Sequence, residues 1–513
     1  MHADTNYGNC KAAYEKLSGQ RNVYLDRARA FASLTIPSIM MEEGSNESTR
    51  IHTPYSSVSA VGVQNLASKL QMALFPPNQS FFKMDVDRFT LMELTGGDPT
   101  KRAEVDEQLS HIERAVMSEM EKEAMRSPIF EALRHLIVTG NYLLHLGKEG
   151  VQGYALDKYV VTRDPEGAVK MVLIKESFHS ETLDEDIVAL AGLSLGDAMG
   201  GDNKPIDIYT KFWRDGKRWR TYQEVNDVII PGTEGSYPID EPPFMPLRWT
   251  AIAGEHYGRA HVESFYGDMR ALEGLSKAIV DASTASARLL VLVNPTGVTR
   301  KDQVAKAENG SVITGNADDV QFMQTQKGAD MAIASQQVQR LEMRISQAFL
   351  SEQGALRDGE RVTAEEVRMR AQQLENTLGG VYSVLSNELQ LPLVRRLMAQ
   401  MTKAKKLPAL PKDVVSPTIV TGLDALGRGH DLNKYMQLLQ ALAPLGPEAL
   451  GRVNMGDLVK RVGISLGLEM DGLIYSEQDI QQQQAQAMEQ QAQQMMMQAG
   501  ANNLASTANN RGQ

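Results

Sequence analysis

A chain of 513 residues, 42% hydrophobic and 23% charged, is too long for one compact core of ordinary size and too apolar to be generally disordered, so two or more folded regions are expected. One cysteine, Cys10, excludes an intrachain disulfide framework and a zinc site built on two thiolates, and the opening MHADTNYGNCKAAYEKL lacks the basic start and apolar run of a secretory leader. A formal net charge of −11 argues against a conventional duplex-binding protein, whose affinity comes from Lys and Arg on phosphates.

In chain order, Tyr14, Leu17, Tyr24, Leu25 and Phe31 recur at helical spacing and stop before Pro37, which predicts a first helix within 7–36. TPYSSVSAVGVQNLASKLQMALFPP (53–77) predicts a second, closed by Pro76 and Pro77. Two more are expected over 101–126 and over FEALRHLIVTGNYLLH (130–145). From about 154 to 250 the pattern changes to hairpins, with turns at Asp164–Gly167 and Asp215–Gly216. YPIDEPPFMPLRW then places four prolines within nine residues, a rigid passage suited to a boundary between units.

Val262, Phe265, Met269, Leu272, Leu275 and Ile279 form one stripe of a long helix expected to run from Arg259 to about Val293, a rod of roughly 45 Å. Its stretch Ala282–Ala287 is made of small side chains that permit close packing of helices, within the chain or between copies. A small segment over 295–327 follows, with strand-like pieces at SVITG and VQFMQ. A second helix then returns, carrying Val338, Leu341, Ile345 and Phe349.

SEQGALRDGE (351–360) reads as an exposed loop, and Thr363 with Glu366 as the capping box of a further helix. Past the linker LPALPKDVVSP, a helical segment is expected over about 430–475. A Gln/Met/Ala-rich helix follows from Gln478, and the last 14 residues read as a disordered end.

Chemistry is scarce. No G-x-x-x-x-G-K-[ST] loop is present to cradle a nucleotide, no G-x-G-x-x-G follows a strand, and no H-E-x-x-H offers a metal site. The lone Cys10 lies near a terminus expected to be mobile, leaving no evident nucleophile. The longest aliphatic run, Leu289–Val293, is too short to cross a bilayer. No cofactor, metal, membrane role or enzymatic activity is expected.

Five segments resemble the portal, or head-to-tail connector, proteins of short-tailed bacteriophages. They are residues 53–77 and 130–145 quoted above; GEHYGRAHVESFYGDMRALEGLSKAIV (254–280) leading to LVNPTGV; GERVTAEEVRMRAQQLENTLGGVYSVLSNELQLPLVRRL (359–397); and PTIVTGLDALGRGHDLNK (417–434). The resemblance covers nearly the whole chain. It implies an α+β, mostly α, portal fold assembled as a ring of twelve, a conduit for double-stranded DNA; the net charge of −11 is compatible with a channel wall that is acidic with a few basic points, which would let DNA pass without holding it.

On this chain the resemblance implies a wing over 1–254, stem helices over 255–293 and 328–350, and a clip over 294–327. It further implies a tunnel loop over 351–362, a long tunnel and wing helix over 363–411, a crown over 412–477, a C-terminal helix over 478–499 and a disordered tail over 500–513. The implied partners are the terminase large subunit, the tail adaptor protein, the major capsid and scaffolding proteins, and internal core proteins. The implied location is the virion's capsid vertex after assembly in the host cytoplasm.

Carried onto this chain, the resemblance implies that Arg361 and Arg357 fall nearest the DNA, with Arg340 and Arg344 on the second stem helix as weaker candidates. Arg361 reads equally well as a phosphate contact or as a helix-start arginine pairing with a glutamate. Arg340 and Arg344, with Glu342 between them, also fit an ordinary solvated helix face. A virion shell or tail component without a DNA channel is the alternative function.

Overall fold

The computed structural model describes residues 9–351 apart from 43, 46–47, 77–79, 97, 148–149, 192–204, 287–289 and 324–327; residues 378–420 apart from 409 and 411–413; and residues 437–442 with scattered positions from 444 to 463. The chain divides into two compact units, Met1–Asp87 with Ile112–Leu423, and Arg88–His111 with Asp424–Gln513. The described residues are mostly helical, with several antiparallel sheets.

The first unit opens with α1 (Cys10–Ser33), capped by Asn9, whose side chain accepts the Ala12 N–H at 2.8 Å. Its Cys10, Ala13, Tyr14 and Leu17 pack on Val160, Met171, Leu173 and Tyr209 of the largest sheet. Cys10 is therefore a core residue and not part of a mobile terminus. Its amide donates to Glu224 and its Sγ lies 3.5 Å from the Tyr222 hydroxyl.

Helix α2 (Val58–Leu74) packs on α5 (Arg126–Thr139). The helix expected over 130–145 stops early: Gly140 adopts φ 78°, and β2 (Asn141–Leu146) begins at the next residue. A side chain at Gly140 would also lie 2.6 Å from the Ala260 nitrogen, so glycine is required there twice over.

The largest sheet has strand order β4 (Tyr159–Arg163), β5 (Val169–Phe178), β6 (Ile206–Asp215), β7 (Arg218–Val225), β8 (Val228–Ile229), with β9 (Gly235–Pro238) also on β7. Both expected turns are present, with Gly167 at φ 91° and Gly216 at φ 58°. The short α6 (Glu185–Leu190) follows β5.

The proline-rich passage carries regular structure. It ends in β10 (Phe244–Arg248), wholly buried, pairing with β2 in the sheet β10-β2-β3, where β3 is Val151–Tyr154. Pro246 is tolerated because β10 is an edge strand. Likewise, the expected linker near 407–417 runs into a strand, β13 (Val415–Ile419), which pairs with β1 (Phe82–Val86) from Phe82↔Ile419 to Val86↔Val415.

The expected long rod is shorter than its stripe suggests. A 3₁₀ turn at Val262–Phe265 leads into α7 (Tyr266–Ser286), and Leu290–Val293 forms β11, paired with β12 (Val320–Met323). SVITG at 311–315 is not a strand; the partner of VQFM is the aliphatic run assigned above to the helix end. A short α8 (Lys301–Lys306) lies between, and α9 (Gly328–Ala348) returns against α7. Residues 378–385 are helical and pass through a π-helical turn at Ser386–Gln390 into α10 (Leu391–Lys403).

The second unit contains α3 (Arg88–Thr95), the first turns of α4 (Pro99–Lys122) and a helical stretch at 437–442. The expected Gln/Met-rich helix and tail lie outside the described residues.

Candidate functional site

The α7–α9 hairpin has little interior of its own. Of the 21 residues of each helix, α7 buries only Met269 and Leu272, and α9 only Ile345 and Ser346. Val280, Ile333 and Met343 stand 48%, 61% and 64% exposed. Apolar surface of that extent on paired helices is what a packed neighbour normally covers.

Asp319 organises the hairpin's tip. One of its carboxylate oxygens accepts from the Val298 and Thr299 amides at 2.9 and 3.1 Å and from the Thr299 hydroxyl at 3.1 Å. Its carbonyl accepts the Asn294 N–H at 2.8 Å, tying both ends of the excursion together. Gly297 permits this approach, because a Cβ there would meet the Asp319 carboxyl carbon at 2.3 Å.

At the base, both helices are anchored. Glu273 of α7 accepts from the backbone amides of Tyr55 and Ser56. At the end of α9, Phe349 presses on α2 where Gly62 leaves room, and its ring meets that of His261 at 5.4 Å between centroids. His261 Nε2 lies 2.9 Å from the Ala348 carbonyl, so that nitrogen carries a proton and donates. Burial holds its pKa below the ordinary value.

The helix then closes in a Schellman arrangement: Ser351 N–H donates to the Ser346 carbonyl, and Leu350 N–H to that of Gln347. Leu350 occupies the left-handed position, φ 55°, usually given to glycine, and Lys69 Nζ reaches its carbonyl at 2.5 Å. This strained residue immediately precedes the predicted loop.

Of the four arginines singled out in the sequence, Arg344 pairs with Asp268 of α7 at 2.8 Å while remaining 65% exposed. Arg340 is exposed, one turn earlier, with no carboxylate partner among the described residues. Arg357 and Arg361, together with Thr363 and Glu366, lie outside the described residues.

A group that sequence reasoning missed joins three distant segments. Glu388, in the π-helical turn, accepts from Arg248 of β10 and, at 3.3 Å, from Arg163 of β4. Arg163 also donates to the carbonyls of Pro246, His256 and Gly167. Both guanidiniums are buried; burial lowers the Arg163 pKa and the Glu388 charge opposes that shift. From the same turn, Gln390 donates to the Leu74 carbonyl at the end of α2. Nothing in the local sequence marks Glu388, because its partners are set by tertiary structure alone.

Among the described residues, no catalytic constellation accompanies these features. Burial pushes the Cys10 thiol up to about 12, opposite to the shift a nucleophile needs. GLSLG at 192–196 and GISLG at 463–467 match the nucleophile-elbow pattern G-x-S-x-G. The first follows helix α6 and not a strand, so it lacks the elbow's strand–turn–helix setting. Among the described residues, no three His, Cys, Asp or Glu side chains are grouped to hold a metal ion, and no helix is long and apolar enough to cross a membrane.

The family described as bacteriophage head to tail connecting protein matches residues 8–474. The portal protein of Enterobacteria phage T3 is 41% identical over 482 residues, covering 92% of this chain and 89% of the relative. The portal protein of Escherichia phage T7 is 40% identical, covering 93% and 90%, and that of Enterobacteria phage SP6 is 31% identical, covering 92% and 91%. A solved chain described as the neck of an empty GTA particle is 13% identical with a TM-score of 0.39, covering 81% of this chain and 90% of that one, too distant to bear on the details here. Matched along nearly its whole length, the chain belongs to the portal, or head-to-tail connector, protein family of short-tailed bacteriophages.

Proposed function

We propose that this chain assembles as a dodecameric ring at the unique capsid vertex and forms the channel through which the genome is packaged and later ejected. One observation carries the reading: two paired 21-residue helices bury only two residues each and expose Val280, Ile333 and Met343. A hairpin so short of interior is stabilised by copies packed side by side about an axis, which makes the assembly's stability depend on concentration.

In this reading residues 1–254 form a wing against the major capsid and scaffolding proteins, the hairpin is the stem, and its tip over 294–327 is the clip. The clip takes the terminase large subunit during packaging and the tail adaptor afterwards. The segment 351–362 narrows the passage, with Arg357 and Arg361 toward DNA. Arg340 is the better of the two stem candidates, because Arg344 is engaged by Asp268. Residues 412–477 form a crown toward internal core proteins. The ring nucleates procapsid assembly in the host cytoplasm and catalyses no reaction.

Single-particle cryo-electron microscopy of the purified chain, with symmetry left free, tests this. A closed ring with an axial hole narrowest at 351–362 is expected. A monomer, a dimer or an open filament would sink the channel reading.

A further inference from the structure

The largest sheet is electrically lopsided along its strands. Met171 stands opposite Trp213 at one end of the β5–β6 pair and Phe178 opposite Ile206 at the other, so the 10-residue strands separate the two ends by about 30 Å. At the first end the β6–β7 turn exposes Arg214, Lys217 and Arg218, while Asp215 is engaged by Arg220 at 2.8 Å. An open cleft of about 670 Å³ beside this turn is lined by Lys16 and Arg214, and also by Lys170 and the buried Arg163, which are engaged by Asp164 at 3.0 Å and by Glu388 at 3.3 Å. With Arg163, Lys170 and Arg220 each facing a carboxylate, Lys16, Arg214, Lys217 and Arg218 still outnumber the one further carboxylate of this end, Glu166.

At the opposite end, ETLDED (181–186) carries four exposed carboxylates and no cation. The segment is held in place, because Val188 of α6 packs with Ile206, Ile208, Val225 and Ile230.

We propose that these two ends are the two halves of one interface between copies of this chain, the cationic cleft of one copy receiving residues 181–186 of the next. The inference rests on the ring reading and adds to it the surfaces that meet. Different surfaces at opposite ends of one sheet make a head-to-tail contact, which closes into a ring when the rotation per copy allows. A twofold contact would set each end against its own charge. A nucleic acid is a poorer occupant, since the matching anions are carried by the chain itself on a segment held in place by the packing of Val188.

Charge reversal in the full-length chain tests the pairing, read as the concentration for half-assembly by sedimentation velocity and native mass spectrometry. Arg214→Glu with Lys217→Glu, and separately Glu185→Lys with Asp186→Lys, are each expected to raise that concentration by about tenfold or more. All four changes in one chain restore opposite charges at every contact and are expected to return it to within about threefold of the parent. Thermal melts of the dissociated chains should be unchanged; if a reversal lowers the melt, Arg214→Gln with Lys217→Gln replaces it and should give a smaller shift in the same direction.

Assembly indifferent to either reversal overturns the proposal, as does a fourfold variant no better than its parents. So does a basic-end reversal that abolishes only binding of a duplex DNA fragment. A parent chain that never assembles defeats the ring reading itself, whereas a ring that ignores the reversals defeats this interface alone.

Discussion

Arg248 meets Glu388 three times across 140 residues of chain: its Nη2 and Nε donate to one carboxylate oxygen at 2.5 and 2.9 Å, and its backbone N–H donates to the other at 2.9 Å. Arg163 shares the same carboxylate. One acid therefore balances two buried guanidiniums and pins the π-helical turn to strands β4 and β10.

Removing that acid leaves two buried cations without compensation. Glu388→Ala is expected to destabilise the first unit by about 3–5 kcal/mol, and the neutral Glu388→Gln by less. Glu388→Ala with Arg248→Met should recover part of the loss, because the second change removes one orphaned charge. Denaturant unfolding of the dissociated chain checks this; equal losses in the single and double variants would show that the ion pair is not the source.

Stability should fall with acid through half-buried histidines. Burial lowers the His145 pKa from 6.5 to about 4, helped by the charge of Arg396 and opposed by a hydrogen bond with Gln152. The native state keeps this ring neutral while the unfolded chain protonates near 6.5, so the contribution is fully present above pH 6.5 and is lost as pH falls toward 4. It amounts to about 3 kcal/mol for this group. His256 and His261, also shifted down by burial, act in the same direction. His145→Phe keeps an aromatic ring beside Phe212 and should flatten the dependence of melting temperature on pH between 4 and 6.5 without abolishing it.

The tip of the hairpin should depend on Asp319. Asp319→Ala removes the acceptor for two amides and a hydroxyl, and Asp319→Asn keeps the shape with a weaker acceptor. The first is expected to speed amide exchange at Val298 and Thr299 by about tenfold or more, and the second by less, with the melt of the rest of the chain nearly unchanged. Hydrogen-exchange mass spectrometry of the peptide spanning 294–300 reads the effect.

What the sequence made legible was local. Helical periodicity located α1, α2 and the paired α7 and α9, and Asp-Gly turns located the hairpins β4–β5 and β6–β7. Leu290–Val293 continues the helical stripe in sequence because a short aliphatic run has no period of its own; its strand state depends on Val320–Met323. Asn141–Leu146 carries apolar residues that also fit a helix continued through Gly140, whose left-handed conformation is the stop signal. The pairing of β1 with β13 joins Phe82 to Ile419, and the Glu388 cluster joins three segments; no window of sequence contains either. Periodicity pointed to the hairpin, while the side chains that clasp its tip and base are set by the fold alone.

Leu350 marks the place where α9 gives way to the predicted loop, and its left-handed backbone stores strain where most helices place glycine. Two interactions hold it there: Ser351 N–H to the Ser346 carbonyl, and Lys69 to the Leu350 carbonyl. Leu350→Gly relieves roughly 1 kcal/mol of backbone strain and loses the leucine's partial burial, so overall stability should change by less than about 1 kcal/mol. Lys69→Met, in contrast, removes the restraint and leaves the strain, and should accelerate exchange at the last turn of α9. If the strained cap sets the direction in which the chain leaves α9, Lys69→Met will alter protease sensitivity within 351–362 while Leu350→Gly alone leaves it near the parent's. Equal sensitivity in all three chains would show that the cap does not govern the loop.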